Sequence, residues 1–130
     1  CFTTPGSLGP FKNEIRNRQT ILKAAGFGNQ VIGYVCLRTI MDVTHILNLA
    51  VLPEFRRMGI GSDLLHEALQ KLTLIRPDIE FITLEVRESN NAAISLYEKF
   101  GFRLIGERPG YYQEPDESAI IMGLKIEKDR

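Results

Sequence analysis

A chain of 130 residues, 44% of them apolar, is enough polypeptide for one domain and enough hydrophobic side chain to close a core. Sixteen Lys and Arg balance sixteen Asp and Glu, and a pI of about 6.9 speaks against a domain that lives on phosphate-backbone affinity. No apolar run approaches the roughly 18 residues of a membrane span, no export signal is visible, and two cysteines are too few for a disulfide framework; the expectation is a cytoplasmic protein with reduced thiols and neither nucleic acid nor membrane as a partner.

In chain order, Cys1–Pro10 holds two Pro and two Gly and reads as loop. Ser7 is positioned to cap a short helix over Phe11–Arg18. Thr20–Ala25, a turn at Gly26–Asn29 and the β-branched run Val31–Ile40 predict a hairpin. After a turn at Met41–Asp42, His45–Leu52 is continuously apolar after its first residue, apart from Asn48, as expected of a strand covered on both faces. Leu64, Leu65, Ala68, Leu69 and Leu72 recur at helical spacing behind Gly59–Ser62, and Pro77–Asp78 breaks that helix. Ile79–Val86 reads as a second buried strand. Ser89–Asn90–Asn91 opens another helix, with Ala93, Ile94, Leu96, Tyr97 and Phe100 on its apolar face and Gly101 as its stop. Phe102–Ile105 and Ala119–Ile126 are the last strands, joined by a loop over Gly106–Ser118. Two hairpin regions flanking a β-α-β-α unit predict an α/β (α+β) sandwich around one mixed sheet.

The segment with chemical content is Val51–Ser62. A buried strand runs into a loop with Gly59 and Gly61 two apart, and a helix starts there. The first N–H groups of a helix have no intrahelical partner and carry partial positive charge. Glycines let a phosphate approach that backbone closely, and Arg56 and Arg57 add full charges. It is neither a dinucleotide fingerprint, since position 64 is Leu64, nor a P-loop, since no Gly-Lys-Ser/Thr follows. Taken alone, the glycine pair is a weak signal and also reads as a tight strand-to-helix turn.

Arg56–Arg57–Met58–Gly59–Ile60–Gly61 resembles the acetyl-CoA pyrophosphate loop (Arg/Gln-x-x-Gly-x-Gly/Ala) of the GNAT superfamily of N-acetyltransferases. Leu84–Glu85–Val86–Arg87–Glu88–Ser89–Asn90–Asn91, continuing through Ala93–Ile94, Leu96–Tyr97 and Gly101–Phe102, is similar to the signature of its RimI branch, whose members acetylate the N-terminal alanine of a small-subunit ribosomal protein. Tyr111–Tyr112 and Ala119–Met122 match the same branch, so the likeness covers residues 10–125. It implies a GNAT fold spanning the whole chain as one N-acetyltransferase domain, shortened at its N-terminus so that the usual first strand is missing, with Gly6 where the branch commonly has Trp. It also implies acetyl-CoA as cosubstrate and a protein N-terminal peptide, that of a ribosomal protein, as acceptor. Leu49, Ala50 and Val51 would run beside the pantetheine arm. Arg56, Arg57, Met58, Gly59, Ile60, Gly61 and Ser62 would surround the pyrophosphate, and Asn90 would hold the pantetheine. Glu85 would accept the proton of the substrate amine, Tyr97 would donate one to the departing thiolate, and Tyr111 and Tyr112 would sit in a loop contacting the acceptor.

The same residues have readings of their own. Burial of Glu85 among Phe81, Ile82, Leu84 and Val86 would disfavour its charge, as suits a general base; it could instead face an edge or pair with Arg87. Tyr97 lies seven residues beyond Asn90, on the same helix face, and could simply be core. Asn90 could be a helix cap and Arg56 a solvated charge. His45 and His66 show no ligand spacing, so no metal is expected. Cys36, mid-strand, reads as a small buried apolar residue. Glu114, Asp116 and Glu117 hint faintly at a polyamine acceptor. The acceptor could also be a lysine side chain, and the domain could be a non-catalytic acyl-CoA-binding module.

Overall fold

The computed structural model describes residues 19–113 and 116–126. The loop and helix expected before Arg18 lie outside the described residues. Thr20–Phe27 (β1) and Gln30–Ile40 (β2) form the expected hairpin, and Val43–Val51 (β3) returns antiparallel to β2. Pro53–Phe55 makes a single 3-10 turn, and helix α1 follows over Ile60–Ile75. Then come β4 (Phe81–Arg87), α2 (Asn91–Lys99), β5 (Arg103–Gln113) and β6 (Asp116–Lys125).

The six strands form one sheet in the order β1-β2-β3-β4-β6-β5. Among the described strands only β3 and β4 run parallel. A parallel pair needs a crossover, and α1 supplies it, lying against β1, β2 and β3. The predicted leucine stripe is what it buries: Leu64, Leu65, Ala68 and Leu72 are almost wholly enclosed, with Ile60 added and Leu69 half-buried. Each fully buried leucine contributes about 1.5–3 kcal/mol. At the far end Arg76 makes a bidentate pair with Asp78 (2.9 and 2.8 Å) and donates to the Met41 carbonyl (3.0 Å), fastening the end of α1 to the β2–β3 turn.

Two expectations fail, each for a physical reason. The loop expected over Gly106–Ser118 is mostly strand: β5 and β6 pair from Arg103↔Gly123 to Gln113↔Asp116. Gly106, Pro109 and Gly110 read as turn residues, but β5 is the sheet edge, where proline needs no ladder partner, and the register shifts between Leu104 and Gly106 and between Arg108 and Tyr112 absorb the irregularity. Tyr111 and Tyr112 therefore stand on the end of a strand rather than in a loop. The second failure is β3, which is not covered on both faces. Beyond Ile46 it is open, with Leu47 51% exposed, and the reason is the site itself.

Candidate active site

β3 and β4 pair only over Val43–Ile46 and Phe81–Leu84. β4 continues against β6 to Arg87, while β3 leaves it. The departure coincides with a bulge: Cys36 pairs with Asn48 and Leu37 with Ile46, so Leu47 is an extra residue on β3. A bulge bends its strand and frees backbone groups. Leu52 N–H donates to the Ile32 carbonyl (2.8 Å). Alternation along an antiparallel ladder then turns the backbone of Ala50 and Asn48 toward β2 and that of Leu49 and Val51 away from it, into the gap. Of the three residues expected beside the pantetheine, Leu49 and Val51 offer backbone groups there, whereas those of Ala50 are engaged by β2.

The gap opens into a cavity of about 790 Å³. Leu49, Glu85, Asn90, Tyr97, Tyr111 and Tyr112, named from sequence, all line it. So do Arg38, His45, Asn48, Arg87 and Arg108, which sequence reasoning did not assign to a site. These five come from four strands, β2 to β5, and the sheet register is what brings them together. Among the described residues no group of three His, Cys, Asp or Glu converges.

The start of α1 is not part of that lining. It stands where β3 ends. Arg57 and Gly59 have φ of +65° and +82°, an alternation of hand that turns successive N–H groups to one side. Gly59 is the N-cap and has no capping side chain. The first helical bond is Asp63 N–H to the Gly59 carbonyl (2.9 Å), so the N–H groups of Ile60, Gly61 and Ser62 have no helical acceptor. A Cβ on Gly61 would meet only Leu96 Cδ2 at 3.6 Å and Val51 Cγ2 at 3.8 Å, ordinary contacts. Packing therefore does not require glycine at position 61, and close approach of a ligand to the backbone does explain it. Arg56 is not a merely solvated charge: its Nε donates to the Val51 carbonyl (3.0 Å). That bond satisfies one of the outward groups of β3 and leaves the Val51 N–H facing the gap.

Tyr97 is held from two directions. Helix α2 ends in a Schellman motif, with Phe102 N–H donating to the Tyr97 carbonyl (3.1 Å) and Gly101 N–H to the Glu98 carbonyl (3.0 Å). The motif's hydrophobic contact is Tyr97 against Phe102, rings 5.6 Å apart and edge-on. The side chain is 6% exposed, and burial pushes its phenol up to about 12. Asn90 is the cap the sequence allowed: its Oδ1 accepts from Ala93 N–H (3.2 Å), and the same side chain lines the cavity.

Glu85 corrects its expectation. Alternation puts Leu84 and Val86 in the core and Glu85 on the open face, with its side chain 30% exposed, so the apolar enclosure is absent. Its partner is not Arg87 but Arg108, whose Nε lies 2.8 Å from Oε2. Arg87 pairs instead with Glu117 (3.2 Å), and Glu117 also accepts from Ser89 N–H (2.8 Å). Hydrogen bonds from Ser89, aided by Arg87, hold the Glu117 carboxyl below the usual carboxylate range. Of the acidic trio read as a hint of polyamine binding, Glu117 is thus committed to Arg87 and Ser89, Asp116 is exposed, and Glu114 lies outside the described residues. Tyr111 and Tyr112 would face opposite sides of a regular strand, but the bulge lets both line the cavity, with rings 5.1 Å apart. Burial, then the charge of Glu85, raises the Tyr112 phenol. Cys36 is half-buried rather than enclosed.

Residues 4–102 match the model of the "Acetyltransferase (GNAT) family". The "[Ribosomal protein bS18]-alanine N-acetyltransferase" of Haemophilus influenzae is 36% identical over 125 residues, covering 94% of this chain and 83% of that protein. The crystal structure of the ribosomal-protein-S18-alanine N-acetyltransferase from Escherichia coli superposes with a TM-score of 0.77 at 28% identity, over 93% of this chain and 78% of that one. A streptothricin acetyltransferase homologue from Bacillus anthracis, solved in complex with acetyl coenzyme A, gives a TM-score of 0.75 at 30% identity, over 92% and 70% of the two chains.

Proposed function

Because this chain belongs to the GNAT family and is an N-acetyltransferase, we propose that it carries acetyl from acetyl-CoA to a protein N-terminal α-amine, that of an alanine in a small-subunit ribosomal protein, the acceptor named for its relatives in Haemophilus influenzae and Escherichia coli. The observation that carries this reading is the divergence of β3 from β4. It opens backbone groups of Leu49 and Val51, sets Glu85 and Tyr97 in one cavity, and lies beside an uncapped helix start.

The roles follow from chemistry. The N–H groups of Gly59–Ser62, with Arg57 beside them, would receive the diphosphate, and Asn90 the pantetheine arm. The Val51 N–H would hydrogen-bond the thioester oxygen as charge develops there. Glu85, through water, would take the proton of the attacking amine. An α-amine with pKa about 8 costs about 1.4 kcal/mol to deprotonate at pH 7, a lysine with pKa about 10.4 about 4.6 kcal/mol. One exposed carboxylate suits the first task better than the second. Tyr97 stays a phenol at every working pH. With its phenol near 12 and a thiol near 8.5, outright transfer to sulfur is uphill by roughly 5 kcal/mol. It would therefore serve as hydrogen-bond donor to the departing thiolate.

Among the described residues the cavity lining holds three arginines, Arg38, Arg87 and Arg108, and one acid, Glu85, itself paired with Arg108, which weighs against a polycationic acceptor. Turnover of an Ala-initiated peptide beside spermidine and free lysine tests the reading. A clear preference for the peptide supports it; preference for either small amine overturns the acceptor assignment.

A further inference from the structure

Among the described residues Glu117 is the most enclosed carboxylate at this end of the sheet, with its side chain 9% exposed, and the roles above do not use it. Its two oxygens reach two different elements. Oε2 accepts from Arg87 Nη1 at 3.2 Å, and Oε1 accepts the Ser89 N–H at 2.8 Å. Arg87 in turn lies over the Tyr112 ring, its Cζ 4.3 Å from the centroid. Ser89 belongs to the turn that delivers Asn90, and that turn is tied again by Glu88 N–H to the Ser118 carbonyl (3.1 Å) and Asn90 N–H to the Arg87 carbonyl (3.0 Å). One carboxylate thus fixes the cap of α2 on one side and an aromatic wall of the cavity on the other.

We propose that Glu117 is a positioning residue for the acceptor site: by neutralising and orienting Arg87, it holds the Tyr112 ring where the acceptor chain binds, and through Ser89 it keeps that wall in register with Asn90. The inference rests on the acetyltransferase reading of the cavity. Glu117→Gln keeps an acceptor oxygen for Ser89 N–H but removes the charge facing Arg87. Glu117→Ala removes both.

Steady-state kinetics on the wild-type chain with an Ala-initiated peptide come first, since absence of turnover there counts against the acceptor reading and not against Glu117; the comparison then moves to the best amine acceptor found. Glu117→Gln is expected to raise the acceptor KM by about 3- to 10-fold, the range of a partly exposed cation–π contact, with kcat and the acetyl-CoA KM within about twofold. Glu117→Ala is expected to raise the acetyl-CoA KM as well, because the turn carrying Asn90 loosens. Tyr112→Leu should reproduce the Glu117→Gln effect, and the Glu117→Gln/Tyr112→Leu pair should be non-additive, since both break one chain of contacts. An unchanged acceptor KM in Glu117→Gln, or strict additivity with Tyr112→Leu, overturns the proposal. A fall in active fraction with both KM values unmoved does so too, because that is what a purely structural glutamate would give.

Discussion

Replacing Tyr97 by Phe removes one oxygen and keeps the ring. The ring is what Phe102 packs against at 5.6 Å, and the Schellman bonds at the end of α2 use the Tyr97 backbone carbonyl, so the fold has little reason to change. A hydrogen bond to a charged partner is worth about 1.5–3 kcal/mol. If Tyr97 donates to the departing thiolate, kcat should fall by roughly 10- to 150-fold at 1.36 kcal/mol per factor of ten. Thiol release at saturating acetyl-CoA and acceptor measures this directly, and the acetyl-CoA KM should stay near that of the wild type, because the lost bond forms only as sulfur departs. Stability supplies an internal control. Burial raises the Tyr97 phenol from 10.0 to about 12. A group whose folded-state pKa is raised stabilises fully below its unfolded value and loses that contribution as pH rises through the folded one. The wild type should therefore lose stability between about pH 10 and 12, and Tyr97→Phe should lack that component. A variant with kcat within twofold of wild type and the flattened alkaline unfolding profile would show that the hydroxyl was substituted without consequence, refuting the donor role.

The remaining expectations are briefer. Glu85→Gln should lower kcat most at low pH, where more of the acceptor amine is protonated, with acetyl-CoA affinity retained; an unchanged kcat across pH 6–9 removes Glu85 from the mechanism. Gly61→Ala should raise the melting temperature slightly, since Ala is favoured over Gly in a helix by about 0.5–1 kcal/mol and its Cβ meets only ordinary contacts, yet it should raise the acetyl-CoA KM at least several-fold; unaltered KM means no ligand approaches that backbone. Asn90→Ala should cost about 1 kcal/mol in thermal unfolding through the lost cap, and should also raise the acetyl-CoA KM. Glu117 has a depressed pKa, so its contribution is present above about 4.5, the ordinary value, and is lost as pH falls through the folded one; acid unfolding of Glu117→Gln should lack that step.

What was legible in the sequence was what local pattern controls. The leucine stripe of α1, the glycine pair at its start, the cap at Asn90 and the stop at Gly101 are short-range features, and each stands where expected. What was hidden depends on partners far along the chain. The apolar run of β3 reads the same whether a neighbour covers it or not, and only the register with β4 reveals that pairing stops at Ile46. The environment of Glu85 turned on which face of β4 it occupies, and its partner Arg108 lies on an edge strand that the turn-forming residues Pro109 and Gly110 disguised as a loop. Glu117 looked like one of three loop acids, and its commitment to Arg87 and Ser89 could not be read from spacing across 30 and 28 residues.

The amide groups at the head of α1 bear the most direct test. Titration of the isotope-labelled protein with coenzyme A, and separately with pantetheine, reports on each N–H. The largest amide shifts for coenzyme A are predicted at Gly59, Ile60, Gly61 and Ser62, with pantetheine leaving those four nearly still while moving Leu49 and Val51. If coenzyme A leaves the four amides unmoved, or pantetheine moves them equally, the helix start does not hold a diphosphate and the assignment of the cleft to acetyl-CoA is contradicted.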